Sequence, residues 1–242
     1  MKNNQQRICI PEAVIFDTDN TLYPYEPAHK AATESVVKKA INIFGVSESE
    51  FTQALESSRS EVKNRLGNTA GSHSRLLYFQ KTIEHLGMGT RILTTLDLEQ
   101  TYWRTFLANT KLFPGVIEFL QLLKNKGIKT ANITDLTAQI QFRKMVYFGL
   151  DEYFDYVVTS EEAGSDKPDS RPFKIALKKL NIPANKIWMV GDDCDSDIFG
   201  AHMVGMVTIQ KKHKNVILGL EGGKKANVIF ENYKELATLI SV

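Results

Sequence analysis

The sequence predicts an α/β protein with a central parallel sheet and an all-helical insertion after the first strand. Three observations predict it. Short apolar runs alternate with amphipathic helical stretches through most of the chain, the pattern of β-α units that build a parallel sheet. The alternation stops over residues 24–110, where only helical patterns occur. The apolar runs ending near residues 17, 133 and 190 are each followed directly by carboxylates or hydroxyls. Polar groups collect in this way at the carboxyl edge of an open parallel sheet.

The elements follow in order. Ala13-Val14-Ile15-Phe16-Asp17 reads as the first, buried strand. Pro27 opens an amphipathic run from Ala28 to Phe44, closed by Gly45. Ser47 and Glu50 form a capping-box pattern that launches a second helix toward Leu66. Gly67 to Ser72 is a break, residues 73–86 read as a third helix ended by Gly87, and Thr95 to Asn109 as a fourth. After Phe113-Pro114-Gly115 the alternation resumes. A helix to Lys126 precedes a strand at 128–133, a helix at Leu136 to Phe148 and a strand at 154–159. A helix at Arg171 to Leu180, the strand at 186–190, a helix at Asp195 to Val204 and a strand at 206–210 follow. Asn227 to Phe230 is strand-like and Tyr233 to Ile240 helix-like. This predicts a Rossmann-like core domain from 1–22 and 111–242, and a helical domain from 23–110.

Right-handed crossovers place every strand's C-terminus along one edge. That edge collects Asp17 and Asp19, Thr134, and the acidic run after Gly191 that starts at Asp192, while the loop carrying Lys167 can reach it. Two carboxylates one residue apart repel each other and call for a cation, most simply Mg²⁺. Each motif also has a plainer reading. Asp17-Thr18-Asp19-Asn20 is good turn material. Thr134 alone is a strand-end hydroxyl, Lys167 an exposed turn lysine, and Asp197 a favourable charge at a helix start.

Together, Asp17-Thr18-Asp19-Asn20-Thr21, Thr134, Lys167 and Asp192 with Asp197 resemble the four ordered motifs of the haloacid dehalogenase (HAD) superfamily of phosphatases. The resemblance spans about residue 13 to about residue 210, and the insertion after the first motif resembles the helical C1 cap. It implies a Mg²⁺-dependent phosphatase acting on a small phosphorylated metabolite, a sugar phosphate or a nucleoside monophosphate. Asp17 would be the nucleophile that forms an aspartyl-phosphate, and Asp19 the general acid and base. Thr134, Asp135 and Lys167 would bind phosphate. Asp17, the backbone carbonyl of Asp19, and Asp192 would hold the metal. Asp193 and Asp197 would support these from behind, Asp193 through a metal-bound water and Asp197 toward Lys167, with Asp195 as N-cap. A phosphomutase of the same superfamily and a catalytically idle binding protein on this fold are the alternatives. Asp19 argues against dehalogenation, because a halide leaves without a proton.

Two positions depart from the family pattern. Asp135 stands where many members carry Asn, and its side chain would repel phosphate if it faced it. Thr18 stands where relatives often have a bulkier apolar residue, and is expected to point away from the metal. For substrate choice, Tyr23 and Tyr25 at the hinge, and His73 and Arg75 in the irregular segment Gly67 to Arg75, are the candidates. The plainer reading of that segment is a helix connector with Ser72 as N-cap. Tyr78, Phe79, Tyr102, Trp103 and Phe106 read as the helical domain's core.

Composition fits an ordinary globular protein, with 242 residues, 43% hydrophobic and 24% charged. A net charge of +2 calls for neither nucleic acid nor an acidic membrane as partner. Met1 to Arg7 is polar, so no secretory signal is expected, and no run is long enough to span a bilayer. Cys9 and Cys194 show no pairing pattern, and a reducing cytoplasm is the expected location.

Overall fold

A computed structural model describes residues 8–214 and 216–241. The polar segment Met1 to Arg7, read above as lacking a secretory signal, lies outside them. The chain divides into two compact units, Met1–Pro24 with Lys111–Val242, and Tyr25–Thr110.

The first unit is built on six parallel strands, β1 (Ala13–Phe16), β2 (Lys129–Thr134), β3 (Tyr156–Thr159), β4 (Ile187–Gly191), β5 (Val207–Lys211) and β6 (Val228–Phe230). Their order is β3-β2-β1-β4-β5-β6. β1 pairs with β2 on one side and β4 on the other, so the order reverses beside β1. In open α/β sheets the crevice at such a reversal is where ligands bind. Side chains alternate between the faces as the pleat requires. Ala13 and Ile15 join Ala131, Ile133, Ile187 and Met189 in one core layer with Phe173, Ala176, Leu180 and Ala201. Phe16 points the other way, with its ring 6.1 Å from that of Phe119, which in turn lies 5.7 Å from Tyr233.

Ten α-helices complete the described residues. The second unit holds α1 (Tyr25–Phe44), α2 (Glu48–Leu66), α3 (Arg75–His85) and α4 (Ile92–Ala108). The first unit holds α5 (Val116–Asn125), α6 (Ala138–Tyr147), α7 (Ser160–Ala163), α8 (Ser170–Leu180), α9 (Phe199–Met203) and α10 (Tyr233–Ile240). The capping box forms: the Ser47 hydroxyl accepts from Glu50 N–H, and the Glu50 carboxylate accepts from Ser47 N–H at 2.8 Å. Tyr78, Phe79, Tyr102, Trp103 and Phe106 are buried in the helical unit, as their spacing suggests. Cys9 is exposed, Cys194 is buried, and neither forms a disulfide.

Several boundaries differ from the sequence reading. α3 starts at Arg75 with Ser74 as its cap, while Ser72 is buried in a short 3-10 turn, Ala70–His73. The expected helix at Asp195 to Val204 is a π turn, Cys194–Ile198, leading into α9. Its N-cap is Asp193 rather than Asp195, because Asp193 lies in extended conformation with its carboxylate on the N–H groups of Asp195 and Ser196. Tyr23 and Pro24 fall in the first unit, since the chain turns back at Asp19 and Tyr23 before α1 begins. No helix among the described residues is long and apolar enough to cross a membrane.

Candidate active site

The site is assembled from chain segments that leave β1, β2 and β4 at one sheet edge and from the loop between α7 and α8 that carries Lys167. Past β1 the backbone folds into a tight turn: Thr18 C=O accepts from Leu22 N–H at 2.9 Å, and Asn20 takes the left-handed conformation (φ 61°). Asn tolerates that conformation better than most residues. Asp17 N–H still bonds to Val190 C=O at 2.9 Å, so the Asp17 backbone is fixed as an extension of the sheet. Asn132 Nδ2 donates to Phe16 C=O at 2.7 Å and Gln141 Nε2 donates to Asn132 Oδ1 at 3.0 Å, bracing the strand from beneath. The Thr18 and Thr134 hydroxyls lie 3.3 Å apart, which ties the β1 turn to the end of β2.

Lys167 is the hub. Its ammonium donates to Asp17 Oδ1 at 2.6 Å, Asp197 Oδ1 at 2.8 Å and Ile133 C=O at 3.3 Å. The Lys167 side chain is only 3% exposed and those of Asp17 and Asp197 are 11% and 2% exposed, so these are desolvated ion pairs. Asp135 Oδ1 accepts from Lys167 N–H at 2.9 Å and from the Ser160 hydroxyl at 3.0 Å. The Asp135 carboxylate therefore anchors the backbone that presents Lys167.

At the end of β4, Gly191 makes room for Asp197. A Cβ at 191 would lie 2.4 Å from Asp197 Oδ2, closer than atoms can approach. That oxygen accepts from Asp193 N–H at 3.1 Å. Asp193 Oδ1 accepts from Asp195 N–H at 2.7 Å and Ser196 N–H at 2.9 Å. Gln210 Nε2 donates to Asp192 C=O at 2.8 Å, holding the half-buried Asp192 in place from β5.

The electrostatics are unbalanced. Ligand atoms of Asp17, Asp192 and Asp197 all lie within 4.8 Å of one another. Three carboxylates thus face one ammonium. Burial first, then repulsion from Asp197 and Asp19, pushes Asp17 up to about 7 against the pull of Lys167. Burial and the neighbouring Asp17, Asp197 and Asp193 push Asp192 up to about 9. Asp197 is also raised by burial. Burial would lower Lys167, but Asp17, Asp197 and Asp135 hold it well above its ordinary value. An all-oxygen, carboxylate-rich set of this kind suits a hard divalent cation. Both Asp197 oxygens accept a hydrogen bond from the protein, one from Lys167 Nζ and one from Asp193 N–H.

Asp19 lies two residues beyond Asp17, with its side chain one-third exposed (33%). Its Oδ1 accepts from Lys144 Nζ at 2.8 Å and from the Tyr23 hydroxyl. Tyr23 is buried, and burial followed by the Asp19 charge raises it well above its ordinary value. It is a partner of Asp19 rather than the open pocket wall expected at a hinge. In the helical unit, Arg75 donates to Tyr25 Oη at 2.5 Å and to His73 C=O at 2.8 Å. Its guanidinium lies 5.2–5.7 Å from the ring centres of Tyr78, Tyr102 and Trp103. Tyr25, His73 and Arg75 are thus brought together inside that unit.

The sequence reading missed Lys144, Gln210 and the requirement for glycine at 191. Lys144 carried a signal: it falls on the same α6 stripe as Ile140, Gln141 and Met145, all buried, where a lysine is out of place. Gln210 carried a weaker one, as a buried polar residue inside a strand.

Comparison with known proteins identifies the family. The model of the haloacid dehalogenase-like hydrolase family matches residues 14–211. The chain is 40% identical over 199 residues to the ribulose-1,5-bisphosphate 5-phosphatase of Halopiger xanaduensis, covering 81% of this chain and 83% of that protein. It is 32% identical over 205 residues to the glyceraldehyde 3-phosphate phosphatase of Methanocaldococcus jannaschii, covering 82% and 84%. In fold it is similar to the crystal structure of a HAD phosphatase from Thermococcus onnurineus, with a TM-score of 0.72, 23% identity and coverage of 94% and 97%. The chain belongs to the haloacid dehalogenase-like hydrolase family and is a phosphatase of that superfamily.

Proposed function

We propose that this protein is a Mg²⁺-dependent sugar phosphate phosphatase working through an aspartyl-phosphate on Asp17. The observation that carries the reading is the 2.6 Å contact of Asp17 with Lys167 beside the carboxylates of Asp192 and Asp197, a set whose excess negative charge suits a cation. A phosphate monoester dianion resists an anionic nucleophile unless positive charge surrounds its oxygens. Lys167 supplies a fixed charge for this, and Thr134 and the backbone around Asp135 supply donors. Bound between Asp17, the Asp19 carbonyl and Asp192, Mg²⁺ would neutralise charge on the phosphoryl oxygens.

The steps then follow from the residues. An Asp17 carboxylate oxygen attacks phosphorus while the ester oxygen leaves with a proton from Asp19. Asp19, now ionised, takes a proton from water, whose oxygen attacks the phosphorus of the aspartyl-phosphate. Inorganic phosphate departs and Asp17 is restored. Asp197 keeps Lys167 aimed at Asp17, and Asp193 caps the turn that presents Asp197. The helical unit acts as the C1 cap and selects the leaving group, with Tyr25, His73 and Arg75 as its candidates.

A sugar phosphate is favoured over a nucleoside monophosphate because the relatives named above act on ribulose-1,5-bisphosphate and glyceraldehyde 3-phosphate. The test is phosphate release from a panel of triose, pentose and hexose phosphates and nucleoside monophosphates, with Mg²⁺ and with EDTA. A sugar phosphate is expected to lead the panel and EDTA to abolish turnover. A nucleotide as best substrate, or full activity after chelation, would overturn the corresponding part.

A further inference from the structure

Lys144 is a charged residue on the buried stripe of α6. It is 2% exposed, yet its partner Asp19 is one-third exposed at the site. An ammonium withdrawn from water is costly unless it is well paired. Nothing apolar around Ile140 and Met145 calls for a charge, whereas Lys144 Nζ reaches Asp19 Oδ1 at 2.8 Å. The same oxygen takes the Tyr23 hydroxyl, and Lys144 Nζ sits 5.6 Å from the Tyr23 ring centre. Two donors from two elements, one on α6 and one just past the β1 turn, converge on a single carboxylate oxygen. Two converging hydrogen bonds define the side chain's direction far better than one.

We infer that Lys144 is a positioning residue that, with Tyr23, fixes the Asp19 carboxylate for proton transfer to the leaving oxygen. This rests on the acid–base role proposed above for Asp19. Proton transfer depends on heavy atoms meeting within hydrogen-bond reach, and an acid free to swing loses much of its effect. The consequence is selective. An alkyl phosphate needs its leaving oxygen protonated, while a nitrophenyl phosphate, whose leaving group is a weak base, needs it little. Loss of Lys144 therefore slows phosphoryl transfer from alkyl phosphates and largely spares nitrophenyl phosphate.

The experiment compares Lys144→Met, Lys144→Arg and Asp19→Asn with the wild type, using p-nitrophenyl phosphate and glycerol 3-phosphate in rapid-mixing single turnovers with saturating Mg²⁺. The expected result is a loss of about ten- to a hundredfold in the alkyl phosphate rate constant for Lys144→Met. The nitrophenyl rate should change by less than about threefold, half-saturation should stay near wild type, and Lys144→Arg should recover most of the loss. Should Lys144→Met not fold, Lys144→Gln is read by the same criteria. Equal losses on both substrates, or a raised half-saturation at unchanged rate, would overturn the inference; the latter would make Lys144 a substrate-binding residue. Asp19→Asn separates the two layers. If it too shows no leaving-group selectivity, the acid–base role of Asp19 fails. If it shows selectivity and Lys144→Met does not, only the role of Lys144 fails.

Discussion

Replacing Lys167 with methionine removes the ammonium from a place where two buried carboxylates meet it at 2.6 and 2.8 Å. Methionine fills similar space, so packing changes little and the effect is electrostatic. Removing one partner of a buried ion pair costs about 3–5 kcal/mol where the remaining carboxylates stay ionised. For a chain of this size that corresponds to a fall of roughly 6–20 °C in Tm. The loss should depend on pH. Asp17 already titrates at about 7, raised by burial even with Lys167 beside it. Without Lys167 it moves higher still. A carboxyl raised above its unfolded value favours the fold below that unfolded value, and this contribution is lost as pH rises through the folded one. The Tm deficit of Lys167→Met should therefore be small near about pH 4.5 and grow toward about pH 8, and Mg²⁺ should offset part of it. Turnover should fall by about a hundred- to a thousandfold, as when a fixed charge aimed at a developing anion is lost. The assays are thermal unfolding in EDTA across pH and steady-state hydrolysis of p-nitrophenyl phosphate. A variant with wild-type Tm at pH 8 and turnover within about threefold would show that the Lys167 charge neither offsets the buried carboxylates nor serves turnover.

Other perturbations probe separate parts of the site. Because Asp17 and Asp192 are pushed up to about 7 and about 9 by burial and mutual repulsion, protons compete with the cation. The Mg²⁺-induced rise in Tm should thus be larger at pH 8 than at about pH 5.5, and a pH-independent rise would contradict the proposed ligand set. Gly191→Ala places a Cβ 2.4 Å from Asp197 Oδ2. The displaced Asp197 should cost about 1–3 kcal/mol of stability and lower kcat more than KM, read by unfolding and kinetics. Arg75→Ala removes the hydrogen bonds to Tyr25 and His73 and the contact with three rings. It should destabilise by about 1–3 kcal/mol. If Arg75 also serves specificity, activity on the best sugar phosphate should fall while nitrophenyl phosphate hydrolysis stays near wild type; parallel change in both marks a purely structural role.

The fold was legible because its signals are local. Buried strands such as Ala13 to Phe16 are apolar throughout, and Gly45 and the Ser47–Glu50 box mark helix ends through their own backbone chemistry. The residues gathered around Lys167 were legible for a related reason: parallel topology brings strand ends to one edge, and Asp17, Thr134 and Asp192 each follow an apolar run. What was not legible depends on contacts distant in sequence. The capping role of Asp193 over Asp195 turns on one backbone angle. Tyr23 looked like a pocket wall because nothing local shows its hydroxyl reaching Asp19. Lys144 is 125 positions from Asp19, so their 2.8 Å contact is set by where α6 lies against the sheet edge. Gly191 reads as one more turn glycine until Asp197 is seen against it.

The proposed mechanism requires the Asp17 carboxylate to become phosphorylated. The most direct measurement is acid quench of a single turnover with Asp19→Asn enzyme, Mg²⁺ and p-nitrophenyl phosphate, followed by borohydride reduction, proteolysis and mass spectrometry. Removing the base should slow hydrolysis of the intermediate while the good leaving group still departs. The expected result is a burst of nitrophenol matched by reduction of position 17 to homoserine, absent without substrate. A nitrophenol burst with position 17 unmodified, or with the phosphoryl group on another residue, would contradict it.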